Sequence, residues 1–259
     1  MASLFRMMIT LFALGVLAAP PAISRTVIIG AEDDWYPYSG VVNGQVQGLT
    51  IDLVRAAFEA AGLSVRYEVM PYARCMALVK AGALVGCFDT LRNAALEPDY
   101  LWHEQPMFHV QYQIYATAAS SENGLRPRDL AGRQVAVTHG YEYGPEFDDD
   151  NRMLRVYTPR DENNFRMLIA NRVQYTVAMA ANTRALVQRH PEEFAGKFKI
   201  VGQVAPAGVY TVFSRRHPAA AGYMQRFDEG MAQIRKNGRY QAIEEEWTRR
   251  LGGRPITSP

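Results

Sequence analysis

Two hydrophobic periodicities alternate along the chain and predict an α/β protein. The short apolar runs at residues 26–30 (TVIIG) and 84–88 (LVGCF) are typical of buried strands. Between them, residues 50–61 carry apolar side chains at three- and four-residue spacing, which predicts an amphipathic helix. The same alternation returns between residues 134 and 204. The pattern therefore indicates two α/β units.

The stretch from residue 71 to residue 108 predicts the first candidate site. It reads as a helix, a glycine turn, a buried strand, a polar loop and a short helix, with Gly82 ending the first helix because glycine readily adopts the left-handed cap. The strand runs into three polar residues, Asp89, Thr90 and Arg92. Because ligands bind at the carboxyl ends of strands in open parallel sheets, we expect a site at these residues.

Two further loops follow predicted strands and carry candidate ligand contacts. The loop at residues 31–40 (AEDDWYPYSG) places acids beside Trp35 and Tyr38. These aromatics either cover the core or form a stacking platform for a ligand. The loop at residues 139–144 (HGYEYG) joins a strand to a helix start, which predicts a cradle of free N–H groups for an anion or a polar group.

Composition narrows the class of protein and excludes several partners. The 259 residues are 48% hydrophobic and 21% charged with a net charge of +2, as expected for one or two globular domains. Lys and Arg do not cluster beside aromatics, so we expect no nucleic-acid partner. His103 and His109 are isolated, so we expect no metal site, and without a Walker-type glycine loop we expect no cofactor and no ATP hydrolysis.

The N-terminus predicts export. Residues 7–19 form an apolar segment of the length of a signal-peptide core, and Ala22 and Ser24 offer small residues for cleavage. We expect residues 1–24 to be a cleaved signal peptide, a mature chain that begins near Arg25, and a periplasmic location. An uncleaved anchor is the alternative.

Export favours a disulfide between the two cysteines, because disulfides persist outside the cytoplasm. Cys75 lies on a predicted helix and Cys87 on the strand that follows it. A helix packed back on its own strand brings two such residues within bridging distance, so we predict a Cys75–Cys87 disulfide. Two buried free thiols are the alternative.

The order of these pieces resembles the extracellular solute-binding proteins of ABC importers, in the polar amino-acid family (family 3). The resemblance covers essentially the whole mature chain, and its markers are WYPY, GLTIDLVRAAFEAAG, PYARCMALVKAG, DLAGRQVAVTHGYEYG, NNFRMLIANRVQYTVAM and HPAAAGYMQRFDEGMAQIRKNGRYQAIEEEW. It implies a type II periplasmic-binding fold, in which two hinge strands join two α/β lobes around a ligand cleft. The first lobe would comprise residues 25–112 and 208–259, and the second lobe residues 113–207.

The resemblance also implies ligand contacts at positions that follow predicted strands. The family's stacking aromatic falls on Trp35 and its nearby acid on Glu32. Tyr72 is either a further contact or packing at the lobe edge. The remaining implied positions lie after the third strand and in the second-lobe turn: Asp89, Thr90, Arg92, Tyr141, Glu142 and Tyr143.

Two hallmark positions depart from the family pattern. The carboxylate-clamping Arg falls on Glu97 or Leu96, and the Asp that pairs with a ligand ammonium falls near Met179. An amino-acid ligand needs both an anion clamp and an ammonium acceptor, because buried charges must be paired. Arg92 or Arg74 is the candidate substitute clamp. The candidate ammonium acceptors are Glu32, Asp89 and Glu142, aided by Trp35 or a tyrosine.

Together these features predict a monomeric, non-catalytic periplasmic solute-binding protein. We expect lobe closure on a small polar solute, either an amino acid or a related small charged compound, and delivery to the membrane permease of an ABC importer. One alternative is a ligand sensor that feeds a membrane signalling protein. Another is an enzyme that resembles cyclohexadienyl dehydratases, with Glu142 or Asp89 in acid–base catalysis.

Overall fold

The computed structural model describes residues 25–257, so the predicted signal peptide lies outside the described residues. The strands are β1 (Thr26–Glu32), β2 (Asp34–Trp35), β3 (Ser39–Val42), β4 (Gln45–Gln47), β5 (Ser64–Met70), β6 (Gly86–Leu91), β7 (Tyr100–Trp102), β8 (Phe108–Val110), β9 (Tyr112–Thr117), β10 (Gln134–Thr138), β11 (Leu154–Thr158), β12 (Tyr175–Met179), β13 (Phe198–Gln203) and β14 (Ala207–Ser214). The helices are α1 (Leu49–Ala60), α2 (Tyr72–Ala81), α3 (Pro145–Asp148), α4 (Asp161–Ile169), α5 (Ala180–Arg189), α6 (Pro191–Phe194), α7 (Ala220–Lys236) and α8 (Arg239–Arg250), with a 3-10 helix at Pro127–Leu130. Between residues 25 and 257, no helix combines the length and the apolar character that a membrane span requires.

Two separate sheets form the cores of two lobes. The first sheet has the order β5-β1-β6-β14-β7, with β8 paired to β14. Its helices α1, α2, α7 and α8 pack on the sheet and on one another. We call this unit the first lobe. Strand β1 is parallel to β5 and β6, whereas β14 is antiparallel to β6, so the carboxyl ends of β1 and β6 share one edge.

The second lobe is built in the same way around the sheet β11-β10-β12-β9-β13. Strand β10 is parallel to β11 and β12, and helices α4 and α5 pack against these strands. A small third sheet has the order β2-β3-β4, and Trp35 is the last residue of its strand β2. The predicted α/β class and the two-lobe arrangement are confirmed.

The chain passes between the lobes at two points. The alternation of apolar and polar residues over 108–117 (FHVQYQIYAT) predicts a single strand, but the structure divides it at Gln111. Strand β8 pairs with β14 in the first sheet, and β9 pairs with β12 and β13 in the second. The return lies between β13 and β14. The division of the chain at residues 112 and 207 stays a prediction.

One expected helix is a pair of turns. After the polar loop, the Glu97 amide donates to the Asn93 carbonyl and the Asp99 amide to the Leu96 carbonyl, both at 3.0 Å, which makes two short turns but no continuous helix. Pro98 directly follows Glu97, and because proline lacks an amide hydrogen and restricts the residue before it, the first turn does not propagate. Strand β7, which the pattern did not indicate, follows and pairs with β14.

The predicted Cys75–Cys87 disulfide is present. The two Cα atoms lie 6.1 Å apart, within the range of ordinary disulfides, and the bond joins helix α2 to strand β6. A Cβ at Gly30 would lie 2.2 Å from the Cys75 sulfur, so the bridge requires glycine at this position of β1. The disulfide therefore fixes α2 against the strands that lead to the candidate site.

Candidate ligand-binding site

A small cavity lies where the two lobes meet. It has a free volume of about 10 Å³ and is lined by Glu32, Trp35, Tyr72, Asp89, Tyr112, Tyr141 and Glu142. Glu32 is the last residue of β1, and Asp89 lies near the end of β6. Tyr141 and Glu142 follow β10 in the second lobe. The cavity thus collects residues from the carboxyl ends of strands in both sheets, the usual place for a ligand in this type of fold.

Two hydrogen bonds cross from one lobe to the other inside the cavity. The Tyr141 hydroxyl donates to Oε1 of Glu32, and the Tyr72 hydroxyl donates to Oε2 of Glu142 at 2.7 Å. Each pair joins a phenol of one lobe to a carboxyl of the other. The described structure is therefore that of lobes in contact.

Gly140 permits this close approach. Its φ of +84° lies in the left-handed region that favours glycine. A Cβ added there would lie 2.9 Å from the Cβ of Ala73, which is on helix α2 of the first lobe. Any larger residue at position 140 would therefore meet the other lobe.

Asp89 is the cavity residue with an unmet polar atom. It is only 7% exposed, and its Oδ1 accepts a hydrogen bond from the Thr50 hydroxyl at 2.6 Å. Its Oδ2 is buried, and no hydrogen-bond donor from residues 25–257 reaches it. The backbone of Asp89 has a φ of +70°, a strained conformation of the kind that concentrates at functional sites.

Burial raises the pKa of each carboxyl group in the cavity. The pKa of Asp89 rises to about 8 and that of Glu142 to about 8, although hydrogen bonds from Thr50 and Tyr72 partly oppose the shifts. Burial also raises the pKa of Glu32 well above its usual range, against the hydrogen bond from Tyr141. The charged forms are disfavoured because the site offers them little water and no positive partner.

The surroundings of the cavity add further negative charge. Among residues 25–257, no lysine, arginine or histidine lines the cavity. Asp161 lies behind it and accepts a hydrogen bond from the Thr138 hydroxyl at 2.5 Å, and burial raises its pKa to about 6. The charge of Asp161 in turn raises the pKa of Glu32 and Tyr141.

A second set of contacts closes the seam outside the cavity, and we call it the rim. Arg160 of the second lobe lies 3.0 Å from a carboxyl oxygen of Asp33 and 2.9 Å from one of Asp34. The Asn182 side chain donates to the Tyr36 carbonyl at 3.2 Å. Acids at the rim therefore have cationic partners, in contrast to the acids of the cavity.

Three predicted contacts lie beneath the cavity rather than in its wall. The Tyr38 ring packs against Trp35 with centroids 4.6 Å apart, and its hydroxyl donates to the Ile256 carbonyl. The Tyr143 hydroxyl accepts the Thr138 amide at 2.7 Å. Thr90 is fully buried. The predicted contacts that do line the cavity are Glu32, Trp35, Tyr72, Asp89, Tyr141 and Glu142.

The two arginines considered as anion clamps lie away from the cavity. Arg74 is exposed on helix α2. Arg92 pairs with Glu97 through an Nε–Oε2 hydrogen bond of 2.6 Å, and its guanidinium lies over Trp102, 5.6 Å from the ring centroid. Arg92 therefore already has its carboxylate partner, at one of the positions to which the family's clamp had been aligned.

Two donors of the expected N–H cradle after β10 are already engaged. The amides of Tyr143 and Gly144 both donate to the carboxyl group of Asp148, at 3.1 and 3.0 Å. These donors are satisfied within the second lobe. They are not available to a bound anion.

Sequence reasoning missed Tyr112 and Arg160. Tyr112 lies just after Gln111, where the chain changes lobe, so the regular alternation of a single long strand concealed its position. Arg160 precedes helix α4 and had no local feature that pointed to an acid on the other lobe. Asp161 is the first residue of α4 rather than its cap, and its carboxyl group accepts a hydrogen bond from the Thr138 hydroxyl. His103 is a core residue whose Nε2 accepts the Thr211 amide at 3.0 Å, and burial lowers its pKa to about 3.

Comparisons with known proteins identify the family and the fold of this chain. The family model of bacterial extracellular solute-binding proteins, family 3, matches residues 27–250. A histidine kinase sensor domain with similarity to periplasmic binding proteins is 24% identical, with a TM-score of 0.74 over 86% of this chain and 96% of that one. An ancestral arginine-binding protein bound to arginine is 19% identical, with a TM-score of 0.73 over 86% and 97% of the two chains.

A putative L-cystine ABC transporter from Listeria monocytogenes is also similar. It is 17% identical, with a TM-score of 0.69 over 86% of this chain and 95% of that one. At these identities the structural similarities establish the fold alone. No curated protein matches the chain. The family model covers most of the sequence, and on that ground the chain belongs to the bacterial extracellular solute-binding proteins of family 3.

Proposed function

We propose that this chain is a periplasmic binding protein that captures a small polar solute between its lobes and delivers it to the permease of an ABC importer. The solute would be an amino acid or a related small charged compound. Capture would occur by hinge closure, in which the two lobes approach and enclose the ligand. The protein would act without catalysis.

The shared cavity is the observation that carries the proposal. Its wall is completed only when both lobes contribute, since Glu32 and Asp89 come from one sheet and Tyr141 and Glu142 from the other. The hydrogen bonds between Tyr141 and Glu32 and between Tyr72 and Glu142 join the lobes at this point. A ligand held there would contact both lobes, and its binding would favour the closed form.

A thermal-shift screen of the mature protein tests capture. A ligand at a hundred times its dissociation constant adds about 2.7 kcal/mol to the free energy of unfolding, which raises the melting temperature by several degrees. Small-angle scattering of each hit should show a smaller radius of gyration with ligand than without it. A hit that leaves the radius unchanged would contradict capture by closure.

Uptake in cells tests delivery. Cells that lack this chain should accumulate the labelled ligand more slowly, and the wild-type gene should restore the rate. A gene that carries Gly140→Val should fail to restore it, because the added side chain would meet Ala73 in the closed form. Unchanged uptake in the deleted strain would contradict a transport role.

A sensory role is the second candidate, and the similarity to a histidine kinase sensor domain favours it. Closure on a ligand serves either role, so the two differ in the membrane partner. A sensor would leave uptake unchanged on deletion but would abolish a ligand-induced transcriptional response. Recovery of the bound ligand unaltered, by NMR after long incubation, separates both roles from the enzyme alternative.

A further inference from the structure

We propose that the cavity binds a small organic cation without a carboxylate group, held between Asp89, Glu32 and Glu142 and the surrounding aromatic side chains. The ligand would carry an ammonium or guanidinium group. This inference rests on the proposed function, because it names the ligand class of the same closed cavity. The inferred ligand carries only positive charge, whereas a standard amino acid also carries a negatively charged carboxylate.

The unmet oxygen of Asp89 is the first argument. Its carboxyl group is almost fully buried, and one of its oxygens has a protein donor while Oδ2 has none. Buried polar atoms without a partner are rare in native proteins because each one costs free energy. Asp89 lines the cavity, so a donor from a bound ligand would satisfy this oxygen.

The sign of the charge is the second argument. Three carboxyl groups line the cavity, and within the described residues no cationic side chain does. Arg92 is engaged by Glu97, Arg74 is exposed, and the amides of Tyr143 and Gly144 are occupied by Asp148. A ligand carboxylate would be buried beside three acids without a counter-ion, which is strongly unfavourable. A ligand cation would meet three acceptors.

The aromatic lining is the third argument. Trp35, Tyr72, Tyr112 and Tyr141 complete the wall. Aromatic faces attract cations through the ring quadrupole, and the attraction is stronger where water is excluded. The Tyr72 and Tyr141 rings meet edge to face, with centroids 5.7 Å apart, so these two walls are mutually braced. Acids among aromatic rings form the type of cage that binds amines.

The free space in the cavity limits the size of the ligand. In this closed arrangement about 10 Å³ is free, roughly the space that one water needs. A compact amine therefore requires the lobes to stand slightly further apart than they do here, and a peptide or a nucleotide is too large.

Titratable groups face the site from every surrounding element. Those in the cavity wall are Glu32 on β1, Tyr72 on α2, Asp89 on β6, Tyr112 on β9, and Tyr141 and Glu142 after β10. Asp161 on α4 and Asp148 on α3 act on them from behind. All of these are acids or phenols. Closure without a cation therefore favours protonation of these acids, whereas closure on a cation keeps them charged.

Calorimetry with matched pairs of compounds tests the ligand class. The pairs are putrescine and ornithine, agmatine and arginine, and choline and glycine betaine, in which the second member of each pair carries a carboxylate. We expect at least one of the three cations to bind well below 1 mM, and its carboxylate-bearing partner to bind at least about tenfold more weakly. Glycerol serves as a neutral probe and should not bind.

Variants of the protein test the site. Asp89→Asn keeps the shape and the Thr50 contact but removes the charge, so it should weaken binding of the cation by at least about tenfold. Asp99→Asn is the matched control, because Asp99 pairs with Lys80 on the surface of the same lobe at 2.6 Å. A melting temperature of Asp89→Asn that is equal to or above that of the wild type would show that the variant is folded. Equal affinity of both variants would overturn the assignment of Asp89.

The outcomes separate this inference from the proposed function. Binding of ornithine, arginine or betaine as tight as that of the matched cation would overturn the cation inference but leave solute capture intact. Binding of glycerol without binding of any of the cations would likewise overturn the cation inference but leave solute capture intact. If all three cations bind more weakly than about 1 mM, the inference fails. The thermal-shift screen with the wider set of solutes then decides the proposed function independently.

Discussion

The cavity and the rim both lie where the two lobes meet, but their carboxyl groups differ in whether a cationic side chain pairs with them. At the rim, Asp33 and Asp34 lie close to the guanidinium of Arg160. In the cavity, Glu32, the residue just before them, accepts a hydrogen bond from the Tyr141 hydroxyl, and within residues 25–257 one oxygen of Asp89 has no donor. Among these same residues the rim pairs its acids with a guanidinium, whereas no cationic side chain lines the cavity. We infer that the rim stabilises closure and that the acids of the cavity are the part of the seam that contacts a ligand.

The largest effect should follow loss of the disulfide that supports the cavity but not the rim. The Cys75–Cys87 bond joins α2, which carries Tyr72, to β6, which carries Asp89. Replacing both cysteines by alanine should lower the free energy of unfolding by about 3 kcal/mol in the chain-entropy model. Guanidinium unfolding of oxidised protein measures this change. Reductant should shift the wild type and leave the double variant unmoved, and equal midpoints would contradict the expected support.

Gly140 tests whether the cavity must close in order to bind. Gly140→Ala places a Cβ against Ala73 in the closed form, so we expect affinity for the ligand to fall at least about tenfold, or about 1.4 kcal/mol. Gly132→Ala is the control, because Gly132 has a φ of +73° but nothing within 4 Å of an added Cβ. Both variants should lose roughly 1–2 kcal/mol of stability to the left-handed backbone. Calorimetry should find weaker binding in Gly140→Ala alone, and a similar loss in both would contradict a steric role of closure.

Arg160 tests the rim with a smaller effect. Its guanidinium is nearly half exposed, so its ion pairs with Asp33 and Asp34 should contribute about 1 kcal/mol or less to closure. Arg160→Ala should therefore weaken ligand affinity by no more than about fivefold, and the loss should shrink at high salt. Arg152→Ala is the control, since Arg152 pairs with Asp150 within the second lobe. A loss for Arg160→Ala as large as that of Asp89→Asn would contradict the division between rim and cavity.

Arg92 should have the smallest effect. Because its guanidinium is engaged by Glu97 and lies outside the cavity, Arg92→Ala should leave the dissociation constant within about twofold of the wild type. Arg74→Ala, at the exposed face of α2, should behave in the same way. Calorimetry with the tightest ligand measures both. Loss of ligand binding in either variant would contradict this expectation and would indicate that the substituted arginine is the anion clamp.

The sequence predicted much of this arrangement because the governing features are local. Apolar periodicity indicated strands β1 and β6, which carry Glu32 and Asp89 near their carboxyl ends, and the rule for strand ends placed a site there. The Cys75–Cys87 bridge followed from a helix and its adjacent strand. In each case the interacting residues lie on neighbouring elements.

The remaining features depend on contacts between distant segments. Arg92 is not an anion clamp because it pairs with Glu97. This pair requires the turn before Pro98 to bring Glu97 back to Arg92, and hydrophobic periodicity does not predict that turn. Arg160 meets Asp33 across 127 residues, and Tyr112 reaches the cavity because the chain crosses between lobes beside it. Which acids acquire a cationic partner is decided by the approach of the lobes. The charge of the cavity was therefore visible only in the structure.

Proton exchange on binding tests the central claim most directly. Water keeps these carboxyl groups charged at pH 7 while the lobes are open, whereas burial in the closed cavity raises the pKa of Asp89 and of Glu142 to about 8. A bound cation favours the charged forms, so closure on it at pH 7 should take up well under about one proton. Calorimetry in two buffers of different ionisation enthalpy measures the number. Binding with almost no proton uptake is the predicted result, and uptake of about one proton or more, as expected for closure on a neutral ligand, would contradict a cation site built from these acids.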